Sequence, residues 1–397
     1  PIFALGTGTL SNAGTLDIGN FGRLNFTTGN YINQATGFID GGTNRDFNIN
    51  TGTFTNLGTL NLADGDLNIT NNGVMNQNVD VTFVSGANVN LGNSSTAGTL
   101  DGTGTVNISS GATMTLDGGA VLSTEFTNFG VLNFNGTITN LVEIQGVSSE
   151  NLVGGVINNN FSTTFDMGGS GIFANNGIIN LNNGFAITAQ NGEFLNDNLG
   201  TLQGTGTIVV GTNGTFTQNG TDNTGASPGQ ITIDGSVTRG STSQMLTELG
   251  GLAPATEFDV YTVTETLDLG GTMTVLEIDG FDVSVGDSFA VVQAGTIEDS
   301  FDVIDGLDVG GGVVLDAVQS TNAITLVGKA VTHQGSGSAD TLTGGAGDDV
   351  FSAGDGNDVI VSGGGADLMH GGDGDDVFTV PDTGFGRLDG EIGRAHV

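Results

Sequence analysis

The sequence contains no cysteine and no tryptophan, four prolines, two tyrosines, and only six lysines and arginines among 397 residues. Without cysteine there are no disulfides and no thiolate metal sites. The six basic residues stand against 43 acidic ones, a formal net charge of -37. That balance lacks the clustered Lys and Arg that phosphate binding needs, so nucleic acid is not an expected partner. It also disfavours electrostatic attachment to an anionic membrane. No apolar run approaches the ~20 residues of a membrane-spanning helix, so no transmembrane segment is expected. The natural counter-charge for such a chain is a metal cation. What the sequence does hold is 71 Gly, 23 Phe and 36% hydrophobic residues. This is enough to build a core, which separates the chain from acidic disordered segments. The length allows two or three domains.

Both ends read as cut. The chain starts at Pro1 with neither Met nor a signal peptide, so targeting is not legible from it. Its last residues, "EIGRAHV", break the local character. Ile392 to Val397 is what ATCGGAAGAGCACACGTC encodes, a string similar to the core of a common sequencing adapter. Residues 391–397, with Arg394 and His396, are therefore expected to be read-through; the other reading is a genuine short tail.

Composition divides the chain further. Residues 1–220 hold 37 Asn and residues 221–397 hold 3. In the Asn-rich part a unit recurs: Asn, any residue, Gly, any residue, an aliphatic residue, then a polar one. It reads "NAGTLDI" at Asn12, "NFGRLNF" at Asn20, "NLGTLNL" at Asn56, "NFGVLNF" at Asn128 and "NNGIINL" at Asn175. The glycine is expected to mark a turn through positive φ. The alternation after it has period two, so Leu16 and Ile18 should face opposite to Asp17, and Leu60 and Leu62 opposite to Asn61. No segment sustains a helical period, and short strands between Asn/Gly turns indicate an all-β protein. Recurring units favour a solenoid over a set of β-sandwiches. At roughly 20–25 residues per coil, 220 residues give about ten coils. Stacked Asn side chains can hydrogen-bond as ladders. The same Asn and Thr rows could instead bind carbohydrate.

Residues 221–331 replace Asn with acid, 17 acidic residues against two basic ones. Strands persist in "QITIDGSV", "FDVYTVTETLDL", "GTMTVLEI" and "SFAVVQA". The order of "SPGQITIDGSV", "LTELGG", "FDVYTV", "LGGTMTVLEIDGF" and "VGDSFAVV" resembles the C-terminal passenger region of autotransporter-like bacterial surface proteins. That resemblance implies the closing part of a parallel β-helix, secreted or displayed on a cell, often adhesive.

From Gly335 the register becomes nine: "GSGSADTLT", "GGAGDDVFS", "AGDGNDVIV", "SGGGADLMH", "GGDGDDVFT". The sixth position is always Asp (Asp340, Asp349, Asp358, Asp367, Asp376) and the eighth always apolar (Leu342, Phe351, Ile360, Met369, Phe378). A run of carboxylates without Lys or Arg should repel itself. Gly-rich turns can curl and present carbonyls, and a hard cation with six to eight oxygen ligands can join those carbonyls to the carboxylates. Ca²⁺ suits this better than Mg²⁺, which demands a tighter octahedron, and no His or Cys set for zinc is present.

These residues match the RTX (hemolysin-type) calcium-binding repeat, G-G-x-G-x-D-x-apolar-x. The resemblance implies a parallel β-roll whose turns alternate between two sides, with an ion between successive turns on one side. Carried onto this chain it implies three complete sites, 340/358, 358/376 and 349/367. The other contributors it implies lie in the turns: Gly344, Ala346 and Asp348; Ala353, Asp355 and Asn357; Ser362, Gly364 and Ala366; Gly371, Asp373 and Asp375. Departures from the pattern are Ser336, Ser338, Ala353 and Ser362, which weaken the first site most. After Thr379 the register breaks, and it restarts at Gly390. The resemblance further implies type I secretion and folding at extracellular calcium.

Some polysaccharide lyases and epimerases also join a β-helix to such repeats. Their chemistry needs an acid or base and a cationic partner for the sugar carboxylate. Here no Lys or Arg lies between Arg45 and Arg239, and no His before His333. A two-carboxylate glycosidase remains formally open, but Asp64, Asp66 and Asp101 read as turn residues. His333 and His370 read as solvated, and Arg23 and Arg45 as groups on the outer face of the stem.

The expected chain is all-β: a right-handed parallel β-helix stalk (1–220), an acidic closing part (221–331) and a calcium-binding β-roll (332–390). The expected function is a calcium-binding, adhesin-like, secreted or surface protein, not an enzyme, with host or matrix carbohydrate or protein as its candidate further partner. The alternatives are a secreted polysaccharide-modifying enzyme and a passive matrix or surface-layer protein.

Overall fold

The computed structural model describes the chain outside residues 1, 18–22, 41–45, 63–65, 85, 93–96, 118–119, 136–140, 144–147, 160–163, 167–170, 182–185, 225–227, 381–386 and 390–397. Ile18, Arg45, Asp64, Gly390 and the 391–397 tail fall outside the described residues. Among the described residues the regular structure is all strand, and no helix is long and apolar enough to cross a membrane. The chain forms two compact units. The first comprises residues 1–225, 231–243 and 263–267; the second comprises 226–230, 244–262 and 268–397.

The first unit is a parallel β-helix. One long sheet stacks eleven strands from Ile2–Leu5 to Thr221–Asn223, each parallel to the next. Each coil adds strands to further sheets: Asn88–Leu91, Gly98–Asp101 and Val106–Ile108 lie under Thr113–Leu116, Val121–Ser123 and Phe126–Asn128. The register step varies from 18 residues, Met114 to Leu132, to 25, Val89 to Met114. Loops of unequal length absorb this variation, so irregular spacing in sequence coexists with an unbroken stack. Inward positions are apolar and buried, Leu60 and Leu132 among them. Phenylalanines stack along the interior: Phe26, Phe47 and Phe54 lie 5.0–5.2 Å apart, and Phe194 lies 5.9 Å from Phe173 and 4.9 Å from Phe216.

The recurring Asn is a corner residue, half-buried at Asn12 and buried at Asn56, Asn128 and Asn175. Asn12 donates to Asn33 (2.9 Å), Asn33 to Asn56 (2.8 Å) and Asn56 to Gln77 (3.2 Å). A second ladder runs Asn128, Asn151, Asn175, Asn196, with steps of 2.8, 2.7 and 2.7 Å. The two ladders occupy different corners. Asn56 ends Thr53–Asn56 and leads into the short sheet strand Thr59–Asn61, whereas Asn128 ends Phe126–Asn128 and leads into Val131–Phe134 of the long sheet. One motif thus serves two positions in the coil. Asn12, Asn128 and Asn175 also accept the N–H of the Gly two residues on, Asn128 from Gly130 at 3.1 Å, which closes the turn.

The motif glycine is needed for a reason other than the expected one. Gly58, Gly130 and Gly177 are not among the positive-φ residues. A Cβ at Gly58 would run into the carbonyl oxygens of Gln34 and Gly37 in the coil below. Close stacking, not an unusual backbone angle, selects Gly there.

The inner ladder ends on charge. Gln218 stacks on Asn196 and Arg239 on Gln218. Arg239 is fully buried, forms an ion pair with buried Asp222, and Gln218 donates to the same carboxylate. Burial pushes the Asp222 carboxyl up, while Arg239 and Gln218 pull against that shift.

The second unit opens with parallel strands Gln244–Leu249, Thr272–Glu277 and Val303–Asp305. It then turns antiparallel: Ala323–Ala330 lies between Ser288–Glu298 and Val313–Gln319. This departs from a β-helix continuing to residue 331. The reversals are local. Gly310, Gly311 and Gly312 take φ of 76°, 62° and 79°, a conformation open to Gly, and Ser320 ties the next turn by accepting from the Ala323 N–H at 3.0 Å.

Candidate metal centre

In the nonapeptide block each repeat gives one short strand, and alternate repeats share a sheet. Thr341–Thr343, Val359–Val361 and Val377–Thr379 form one. His333–Gln334, Val350–Ser352, Leu368–His370 and Arg387–Asp389 form the other. The eighth-position side chains point inward: Phe351, Ile360, Met369 and Phe378 make a buried cluster with Ala353, and Leu342 packs against it. Register partners lie 18 residues apart, Thr341 opposite Val359. The turns therefore fall on two sides, Asp340, Asp358 and Asp376 on one, Asp349 and Asp367 on the other.

Within each side the aspartates are linked. The Asp358 carboxylate accepts the Asp340 N–H (2.7 Å), Asp376 accepts that of Asp358 (2.9 Å), and Asp367 accepts that of Asp349 (2.9 Å). This uses one oxygen of each upper aspartate. The second oxygens of Asp358, Asp367 and Asp376 are buried and have no hydrogen-bond partner among the described residues. The first aspartate on each side differs. Asp340 Oδ2 accepts from the Ser336 N–H and hydroxyl, both at 2.7 Å, and Asp349 Oδ2 from the Gly345 N–H at 2.6 Å.

Turn conformation follows the same division. Turns three to five have positive φ at repeat positions two and four, for instance Gly372 at 84° and Gly374 at 144°. A side chain at Gly372 would also collide with the carbonyl of Gly354 one layer below. The first turn carries Ser336 and Ser338 at those positions and does not use that conformation. Its serines are compatible with the fold, and Ser336 supplies two donors to Asp340. Ala353 and Ser362, read as departures, are buried at position one.

A buried carboxylate oxygen without a donor is costly unless a cation meets it. Burial, reinforced by the charges of Asp358 and Asp375 and opposed by the Asp358 N–H, raises the Asp376 carboxyl above its usual range. No group of three acidic or His side chains gathers among the described residues. A cation here would meet two aspartates and backbone carbonyls, which is an all-oxygen, hard-ion donor set. The side chains of Asp348 and Asn357 serve the stacking of turns, accepting the N–H groups of Ala366 (2.8 Å) and Asp375 (3.0 Å). Asp355 and Asp373 are exposed. Gly344, Ala346, Gly364, Ala366, Gly371 and Asp375 lie in the same turns, as expected from the register.

Both histidines depart from the solvated reading. His370 is fully buried, and His333 stacks on Phe351 at 4.6 Å with Nδ1 3.7 Å from Asp349. The sequence reading also missed the attachment of the roll to the preceding hairpin, where Ser352 donates to Asp308 and the Thr332 hydroxyl accepts the Val350 N–H at 2.8 Å. Position nine carries this information, since Ser352 and His370 are polar yet buried on the strand face opposite the eighth-position side chains, where Ser352 meets Asp308.

The model of the RTX calcium-binding nonapeptide repeat matches residues 334–369 and 352–379. No curated protein matches the chain. Among solved structures, a TibC-catalysed hyper-glycosylated fragment of TibA is similar at 13% identity, covering 75% of this chain and 97% of that one. Its TM-score of 0.24 is too low to bear on the fold. Residues 334–379 of this chain are RTX calcium-binding nonapeptide repeats.

Proposed function

We propose that the chain belongs to a secreted or surface-displayed bacterial protein of adhesin type, a β-helical stem carrying a roll that folds on calcium outside the cell. The observation that carries the calcium reading is the set of buried, undonated oxygens on Asp358, Asp367 and Asp376. The ions would lie at 340/358, 358/376 and 349/367, with backbone carbonyls of the intervening turns completing each shell. At low cytosolic calcium the carboxylates repel one another. One inward apolar residue per repeat offsets little of the ordering cost of ~1–2 kcal/mol per backbone residue, so the ion supplies folding free energy. Calorimetric titration of the whole chain tests this. Three calcium ions are expected, and a chain with Asp358, Asp367 and Asp376 all changed to Asn should lose them. Undiminished binding by that variant sinks the assignment.

The chain is proposed to carry no catalysis. Of the carboxylates weighed for acid–base work, Asp64 lies outside the described residues, Asp66 accepts from Asn88 (3.0 Å) and Asp101 from the Gly102 N–H (2.7 Å). Release of unsaturated or reducing ends from alginate or pectin, above a heat-killed control, would overturn this.

A further inference from the structure

In a chain of net charge -37, one long surface of the stem has no charge. It is the outer side of the long sheet across six successive strands, from Thr113–Leu116 to Thr221–Asn223. The outward residues form two columns in register. One column passes through Val131, Val156 and Ile178; the other through Asn133, Asn158, Asn180 and Gln203. The neighbouring sheets do carry outward acid, Asp101 and Asp234 on one, Glu150 and Glu193 on the other. Along the corner beside the apolar column, Phe129, Val153 and Leu199 are 43%, 63% and 67% exposed.

The amide column is a ladder with capacity left over. Asn158 donates to Asn133 (2.9 Å) and accepts from Asn180 (2.6 Å). A primary amide has two N–H groups and two lone pairs, so the ladder uses one of each. The remaining donor and acceptor of every step repeat at the strand spacing of about 4.8 Å, comparable to the length of one sugar ring.

We infer that this face binds an uncharged polysaccharide, the C–H faces of its rings on the apolar column and its hydroxyls on the amide column. The inference rests on the adhesive reading and gives it a partner class. Net charge decides among occupants. An acidic polymer is repelled by the chain as a whole, and so is a second copy of it, whereas a neutral polymer meets a neutral face.

The test is retention of the full chain on cellulose, chitin, curdlan and mannan, with alginate as the acidic comparison. Ile178→Asp places a charge in the apolar column without touching the interior, and Asn158→Asp does so isosterically in the amide column. Retention on at least one neutral polymer is expected, with and without calcium, and each variant should weaken it roughly tenfold. Cooperative thermal unfolding of the stem should be retained in both variants, which shows that they fold. No retention on any neutral polymer overturns the inference, as does retention indifferent to both variants. A concentration-dependent dimer abolished by Ile178→Asp would assign the face to a second copy instead. If the chain still adheres to cells while both variants bind polymers as before, the face is refuted and the adhesive reading stands.

Discussion

Asp358→Ala should cost calcium-coupled folding of the roll about twice what Asp340→Ala costs. Asp358 is fully buried between two layers: its carboxylate accepts from Asp340, and its N–H donates to Asp376. It is shared by the sites at 340/358 and 358/376. Asp340 belongs to the first alone, and its second oxygen is already held by Ser336. At a hundredfold excess of ion over the dissociation constant, each site stabilises the folded state by about 2.7 kcal/mol. Losing both sites therefore removes ~5 kcal/mol, and losing one removes ~2.7 kcal/mol. Limited chymotrypsin digestion over a calcium series reads this directly, because the sites after Phe351, Met369 and Phe378 are buried only in the folded roll. The calcium needed for protection should rise far more for Asp358→Ala than for Asp340→Ala. Equal shifts in the two variants would refute the shared-site reasoning.

Three further outcomes concern the stem and the hairpin unit. Asn151→Ala should destabilise the stem by about 1–3 kcal/mol per buried amide group left unpaired on Asn128 and Asn175, whereas Asn158→Ala in the outer ladder, where water can substitute, should cost less; thermal unfolding compares them. Arg239→Ala should cost roughly 3–5 kcal/mol because it strands the buried Asp222 carboxylate, and Arg239→Ala with Asp222→Asn should recover much of that loss. Glu248→Gln should raise the melting temperature at neutral pH. Burial, then the charges of Asp259 and Asp279, raise the Glu248 carboxyl, so its ionised form penalises the folded state above that raised value. The penalty is absent below the unfolded value, where both states are protonated, and the benefit of Gln should vanish as the pH falls through this window. A benefit that grows on acidification contradicts the sign.

The sequence showed the fold class clearly because both repeats impose a period on residue type. Alternation after each Asn-x-Gly marked strands, and Asp at the sixth position of each nine carried the resemblance that implied the two-sided roll. Other features were hidden for physical reasons. That Asn56 and Asn128 turn different corners depends on loop length between them, which a local motif does not carry. Gly58 looked like a turn glycine, but its constraint is a carbonyl in another coil. The fall in Asn after residue 220 coincides with the ladder passing to Gln218 and then Arg239, a continuity of position that composition conceals. His370 looked polar and therefore solvated, yet it is buried on the strand face opposite Met369, which the repeat pattern alone does not indicate.

The central claim is that the stem folds by itself while the roll requires calcium. Hydrogen–deuterium exchange of the intact chain, in excess chelator and then in millimolar calcium, tests it most directly. The expected result is strong protection of the interior ladder strands, such as those carrying Asn151 and Asn175, in both conditions. Residues 335–379 should exchange near the unfolded rate in chelator and become protected together when calcium is added. Full protection of 335–379 in chelator, or a stem whose protection also depends on calcium, would contradict the account.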